Sequence, residues 1–348
     1  MSRPIRKVLM LAHPEMDHLA YMMYNGLYKV LGKDNLAVYP FVRHYQGGID
    51  DWYTLDDEKR GHTAPTGYIG KHETLERSFD DLVNNIHSFD IIYLSSARTY
   101  AVRALDQFIA KCGRKNLPPI VFSEGEDYQG LHTIRAIKQK YNTLACFKRE
   151  YIQSDLDRNP DLHPLYPLPF SAIIDNIPPD NPNKDIDAFA LFGNTYPLRE
   201  NIVRKILSSH LPGKYKIHVG IDRWNGSGPS TPPLISYKAY LDLMSRAKIN
   251  IISRCWGYDT LRRFEVLCFS GLVMSDNIPI TTPNPFYDNQ TIIYYDSNLN
   301  GFIERIEYIL GADNERRRIG TTGREHCLKH HTTEARAKYF LNRLEGHL

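Results

Sequence analysis

Residues 253–276 read SRCWGYDTLRRFEVLCFSGLVMSD. The pattern predicts a glycine-bearing loop at Gly257, a helix start at Asp259-Thr260, a helix carrying Arg262 and Glu265 about one turn apart, and an apolar strand, LVMS, opened by Gly271. Spacing alone allows a plain reading. Asp259 stands three and four residues before Arg262 and Arg263, and Arg262 stands three before Glu265, which is the geometry of surface ion pairs on a helix. The order loop, helix start, arginine, carboxylate, strand also suits a nucleoside diphosphate. Amides at the helix start face the phosphates, Arg262 neutralises them, and Glu265 accepts from ribose hydroxyls.

The same alternation extends outward. In the second half, AFALFGN, YKIHVGI, INIIS, LVMS and TIIYY are apolar runs separated by helical stretches near 197–210 and 236–247, and helical segments close the chain from about 298 to 345. In the first half, KVLMLAH, LAVYPFV, FDIIYLSS and PPIVFSE alternate with amphipathic stretches around 17–32, 72–88, 100–113 and 129–141. Short continuous apolar runs between helices predict parallel strands buried on both faces, in doubly wound domains with ligand clefts at the strand C-termini. The stretch 160–187 is too rich in proline for regular elements and reads as a connection. Residues 44–70 fit neither texture; a cleft-covering loop and a surface excursion both suit them.

A chain of 348 residues suits two domains of roughly 150 residues each. The net charge of +3 is too mild to require nucleic acid, because acidic and basic residues are interspersed. Five scattered cysteines without a CxxC pair, an N-terminal apolar run of only five residues, and the lack of a long apolar run predict a reduced, cytoplasmic protein without a membrane span.

The segment Gly257-Tyr258-Asp259-Thr260-Leu261-Arg262-Arg263-Phe264-Glu265 resembles the pattern G-[WY]-D-T-x-R-[YF]-[WF]-E of CgeB-like proteins in the glycosyl transferases group 1 superfamily. FGNTYPLRENIVRKIL at 192–207 is similar to the start of that family's nucleotide domain, and HHTTEARAKYFLNRL to its terminal helix. The resemblance covers residues 187–345 and implies the GT-B fold: α/β, with two Rossmann-like, doubly wound parallel-sheet domains facing across a cleft. It implies an acceptor-side domain at 1–160, a linker at 161–187, a nucleotide-sugar domain at 188–330 and a terminal helix at 331–348 packing back towards the first domain. It further implies a metal-independent glycosyltransferase without a cofactor, whose nucleotide-sugar donor is held by Glu265 at the ribose and Arg262 at the diphosphate. Gly193, Asn194, Arg199, Arg223, Gly257, Tyr258, Asp259 and Thr260 would complete the donor site. A catalytically silent binding protein of the same fold is the second expectation.

Two departures stand out. Gly271 stands six positions after Glu265, where the family's glycine stands five after its glutamate. Relatives that retain anomeric configuration carry an E-x7-E pair, and here the first glutamate is replaced by Gly257. The sugar-facing carboxylate must come from elsewhere, and the stereochemical outcome stays open.

Two strand ends of the first half offer candidates. LAHPEMDH at 11–18 supplies His13, Glu15, Asp17 and His18 as bases for an acceptor hydroxyl, with His13 preferred. The run is also similar to the HPDD motif of PIG-L-like zinc deacetylases, with Glu15-Met16 in place of two aspartates, which keeps a zinc hydrolase as a minor alternative. FSEGEDYQG at 122–130 supplies Glu124, Glu126 and Asp127; Glu124 and Asp127 are the leading replacements for the missing carboxylate, against a solvated acidic turn. The acceptor itself is not specified: glycan, protein, small molecule and modified nucleic-acid base all fit. His330-His331 reads as a helix-end feature and not a metal site.

Overall fold

A computed structural model describes residues 4–14, 17–42, 45, 76–127, 130–222, 235 and 237–348. Arg223 and most of 44–70 lie outside the described residues. The first domain is a six-stranded parallel sheet, β1 (Val8–Leu11), β2 (Leu36–Tyr39), β3 (Ile91–Leu94), β4 (Ile120–Glu124), β5 (Ala145–Lys148) and β6 (Leu165–Pro167), in the order β2-β1-β3-β4-β5-β6. The helices are α1 (His18–Leu31), α2 (Phe79–Asn84), α3 (Thr99–Cys112), α4 (His132–Tyr141) and α5 (Gln153–Asp157).

The second sheet is β7 (Ile186–Gly193), β8 (Ile217–Asp222), β9 (Ala247–Ile252), β10 (Leu272–Asp276) and β11 (Ile293–Tyr295), ordered β11-β10-β9-β7-β8, again all parallel. Its helices are α6 (Pro197–Leu207), α7 (Leu211–Lys214), α8 (Tyr237–Arg246) and α9 (Leu261–Val266), followed by α10 (Phe302–Gly311), α11 (Asp313–His330) and α12 (Thr333–Glu345). Strands such as β1 and β3 are buried at every residue, as a sheet covered on both faces requires. In each sheet the strand order reverses beside the first strand, which leaves a crevice at the carboxyl ends between β1 and β3 and between β7 and β9.

The proline-rich stretch is more than a connection. Leu165–Pro167 adds the sixth strand, and Leu168, Phe170 and Ala172 are buried, so the first domain extends beyond the expected 160. Backbone hydrogen bonds to a neighbouring strand need no proline nitrogen at a sheet edge, which is where this short strand sits.

The terminal helix crosses to the first domain. Gly26 of α1 lies so close to α12 that a Cβ there would meet the Thr333 carbonyl oxygen at 2.1 Å. Thr333 Oγ1 donates to Asn25 Oδ1 at 2.6 Å, and Phe340 packs on Tyr93 and Phe147 at ring distances of 4.8 and 4.6 Å. Two chain crossings, at 168–185 and at 331–348, therefore tie the domains together on one side, and the crevices face each other on the other.

Candidate functional site

A cavity of about 500 Å³ lies between the two crevices. That volume is in the range that takes a nucleotide-sized ligand. The second domain supplies an apolar floor from Leu191, Phe192, Ile251 and Ile252, with Gly193 and Thr195 after β7 and Ser253 and Cys255 after β9. The first domain supplies His18, Asp127, Arg149 and Phe170.

Arg199 is set by α6, which Pro197 starts in its first turn. Its Nε donates to the Arg254 carbonyl at 2.8 Å, Nη1 to the Gly193 carbonyl and Thr195 Oγ1 at 3.2 and 2.9 Å, and Nη2 to the Ser253 carbonyl at 3.0 Å. Burial lowers its pKa from the usual arginine range. The guanidinium thus splints the ends of β7 and β9 while forming part of the cavity wall.

Arg262 also reaches the wall, with Cζ 4.3 Å over the Tyr240 ring and Nη1 2.7 Å from Glu265 Oε2. The ion pair allowed by the i,i+3 spacing is formed. Glu265 is buried beside Arg262, its carboxylate held by that ion pair.

Of the two residues at the expected helix start, Thr260 and not Asp259 is at the N-cap position of α9. It makes no side-chain cap bond, and the Asp259 carboxylate turns instead to the first domain, where Oδ2 accepts from the Phe170 amide at 2.6 Å. Burial raises the Asp259 pKa, and Arg149 counteracts this. Asp259 therefore works as an interdomain contact. Tyr258 packs on Arg254, which it shares with Tyr196, each ring 4.2 Å from the guanidinium carbon. Asn194 stands between the wall residues Gly193 and Thr195.

Of the acceptor-side candidates, Asp127 is on the wall and ion-paired with Arg149. Glu124 is not. It is 2% exposed, forms a buried ion pair with Lys148, and its pKa is raised by burial, because β4 turns it into the sheet instead of into the crevice. His13 is likewise buried behind the wall, its ring edge-on to Tyr100 at 5.3 Å. His18 takes the wall position at the start of α1, while Asp17 caps that helix through Oδ1 and the Ala20 amide at 3.0 Å. The protein surrounding His18 in its recess lowers its pKa. Glu15 lies outside the described residues, and among the described residues no group of three His, Cys, Asp or Glu could hold a metal ion. His331 is buried and bonded to the Asn284 carbonyl and Arg336.

Sequence reading missed Arg149 and Glu150, which follow the short β5. Arg149 is 1% exposed, with Cζ 4.4 Å over the Phe170 ring and Nη1 3.4 Å from the Asp259 carbonyl. Burial opposes its charge, yet the carboxylates of Asp259, Asp127 and Glu150 hold its pKa above the ordinary arginine value. The signal available in sequence was the apolar run LACF between Thr143 and the charged KRE.

Residues 199–342 match a family model described as glycosyl transferase-like. No curated protein sequence matches the chain. Among solved structures, an alpha-glucosyltransferase in complex with UDP and a mismatched 13-mer DNA is 12% identical, with a TM-score of 0.57 over 97% of this chain and 98% of that one. HepE from Anabaena in complex with UDP-glucose is 10% identical, with a TM-score of 0.57 over 98% and 99%. A sucrose-phosphate synthase from Thermosynechococcus elongatus is 11% identical, with a TM-score of 0.52 over 98% of both chains. These likenesses are of fold and span both domains. Among the described residues no helix is long and apolar enough to cross a membrane. The chain thus has the GT-B architecture over nearly its whole length, and its second domain matches the glycosyl transferase-like family model.

Proposed function

We propose that the chain transfers a sugar from a nucleotide-sugar donor, seated against the second domain, to an acceptor that enters from the first. The observation that carries this reading is the convergence of Arg149, Arg199 and Arg262 on one cavity with an apolar floor, at the reversal point of the second sheet. Fixed positive charge in a recess stabilises a departing nucleoside diphosphate, the main electrostatic demand of glycosyl transfer. Neighbours of the same fold bind UDP or UDP-glucose, which supports a donor of that class.

In this reading Arg262 and Arg199 face the diphosphate. Glu265 accepts from the ribose hydroxyls while its ion pair with Arg262 keeps both side chains in one orientation. The acceptor oxygen forms the new bond to the anomeric carbon as the bond to the diphosphate breaks, and the acceptor proton passes to a base. Asp127, on the cavity wall, takes it in this reading. The three guanidinium groups supply the charge stabilisation, so that the reaction proceeds without a metal.

Thermal denaturation with UDP, GDP, ADP and CMP and their sugars tests the donor site, since ligand at 100 times Kd adds about 2.7 kcal/mol of stability. Stabilisation by one nucleotide family together with donor consumption is expected. No shift with any of them would sink the reading, and stabilisation without donor consumption would leave a binding protein.

A further inference from the structure

Gly257 faces the first domain at very short range. A Cβ on it would stand 2.0 Å from Glu150 Oε1 and 2.8 Å from Asp127 Oδ1, distances that real Cβ atoms do not show. The space that a side chain at 257 would occupy is thus already filled by two carboxylates of the other domain.

Glu150 is fully buried. Its Oε1 accepts from the Asp259 amide at 3.1 Å and lies 3.3 Å from Arg149 Nη2, while Oε2 has no partner. A carboxylate placed for stability alone would have both oxygens bonded, because a buried orphan acceptor costs free energy that nothing in the fold returns. The same Arg149 Nη2 that meets Glu150 is bonded to Asp127 on the cavity wall. One guanidinium nitrogen therefore links a buried carboxylate to an exposed one.

The anchor of this link is in the second domain. The Asp259 amide holds Glu150, the Asp259 carbonyl accepts from Arg149, and the absence of a side chain at Gly257 lets the group approach. Asp127 is consequently held in its direction only while 257–259 are seated against 149–150.

We propose that Glu150 is a positioning residue for the transfer step: through Arg149 it fixes Asp127 in the cavity, and it does so only with the two domains apposed at Gly257. This rests on the reading of Asp127 as the base for glycosyl transfer. It also accounts for glycine at 257, where a sugar-facing side chain would collide with the carboxylates delivered from the first domain.

The test compares wild type with Glu150→Gln, Glu150→Asp, Gly257→Ala and the double variant Gly257→Ala/Glu150→Asp, reading UDP affinity by calorimetry and turnover by UDP release from UDP-sugar. Glu150→Gln keeps the shape and one acceptor, and its kcat should fall about tenfold or more with UDP affinity held within about twofold. Gly257→Ala should show the same split. The shorter carboxylate of the double variant clears the added methyl and should recover about fivefold or more of the kcat lost in Gly257→Ala, a coupling expected only of groups in contact. Turnover of Glu150→Gln within about twofold of wild type, equal losses in kcat and UDP affinity, or additive losses in the double variant would each overturn the positioning role. Wild-type protein that binds none of UDP, GDP, ADP and CMP and consumes none of their sugars would instead overturn the reading beneath it.

Discussion

Arg199 donates through Nη2 to the Ser253 carbonyl at 3.0 Å and through Nη1 to the Gly193 carbonyl at 3.2 Å, so one side chain closes the gap between the ends of β7 and β9. Parallel strands whose helices leave to opposite faces separate at this point, and their last carbonyls lose strand partners. The guanidinium takes their place and brings a fixed charge to the cavity at the same time.

Arg199→Ala should destabilise the chain by about 3 kcal/mol, because it leaves several buried carbonyls without donors. Arg199→Lys should recover only part, since an ammonium cannot reproduce the planar fork. Urea denaturation checks both, and a loss under about 1 kcal/mol for the alanine variant would contradict the splint.

Arg262 and Glu265 separate in their effects if the assigned roles hold. Arg262→Ala should weaken UDP about tenfold or more while changing uridine little, because its partner is the diphosphate. Glu265→Ala should weaken UDP and uridine alike, about tenfold or more, because its partner is the ribose. Calorimetric titration with the two ligands decides. Unchanged affinity in both variants would reduce the pair to the surface ion pair that its spacing allows.

His331 ties stability to pH. The Asn284 carbonyl can only accept and Arg336 can only donate, so the proton sits on Nε2 and Nδ1 keeps its lone pair. Burial holds its pKa well below 6.5, and Arg336 adds to the effect. The unfolded chain therefore binds the extra proton first. This contribution is complete above about pH 6.5 and is lost as pH falls towards the folded value, with a slope of up to about 1.4 kcal/mol per unit. Urea unfolding between pH 7.5 and 5 should show the decline, and His331→Asn should be less stable at pH 7.5 with a shallower slope. An equal slope in the variant would assign the decline to other groups.

Gly26→Ala tests the return of α12 to the first domain. Its methyl would meet the Thr333 carbonyl at 2.1 Å, with Ala337 Cβ at 2.9 Å, so the helices must part. A loss of about 3 kcal/mol is expected, beyond the fraction of a kcal/mol that alanine adds in helix propensity. Stability equal to or above that of wild type would show that α12 is not held there.

Much of the architecture was legible because it rests on local signals. The runs VLML, IIYL and AFALF announce buried strands, Pro197 marks the start of α6, and the order from Gly257 to Gly271 brings loop, helix and strand into one unit. The strand β5 was not legible. Ala145–Lys148 is four residues long and runs into Lys148-Arg149-Glu150, which in a sequence looks like a solvated charge run. All three are buried, because each charge finds a partner from another strand or the other domain: Lys148 finds Glu124, Arg149 finds Asp127, and Glu150 finds the Asp259 amide.

The sequence by itself determined the alternation of strand and helix, hence two doubly wound sheets, and the order of loop, helix and strand from Gly257 to Gly271, because periodicity and spacing act within a few turns of chain. The tertiary structure decided which carboxylates meet the cavity. Glu124 and Asp127 are three residues apart, yet one is turned into the sheet against Lys148 and the other onto the wall beside Arg149. That choice depends on where β5 and the second domain lie, and burial of a charge is permitted only where distant chain supplies its partner.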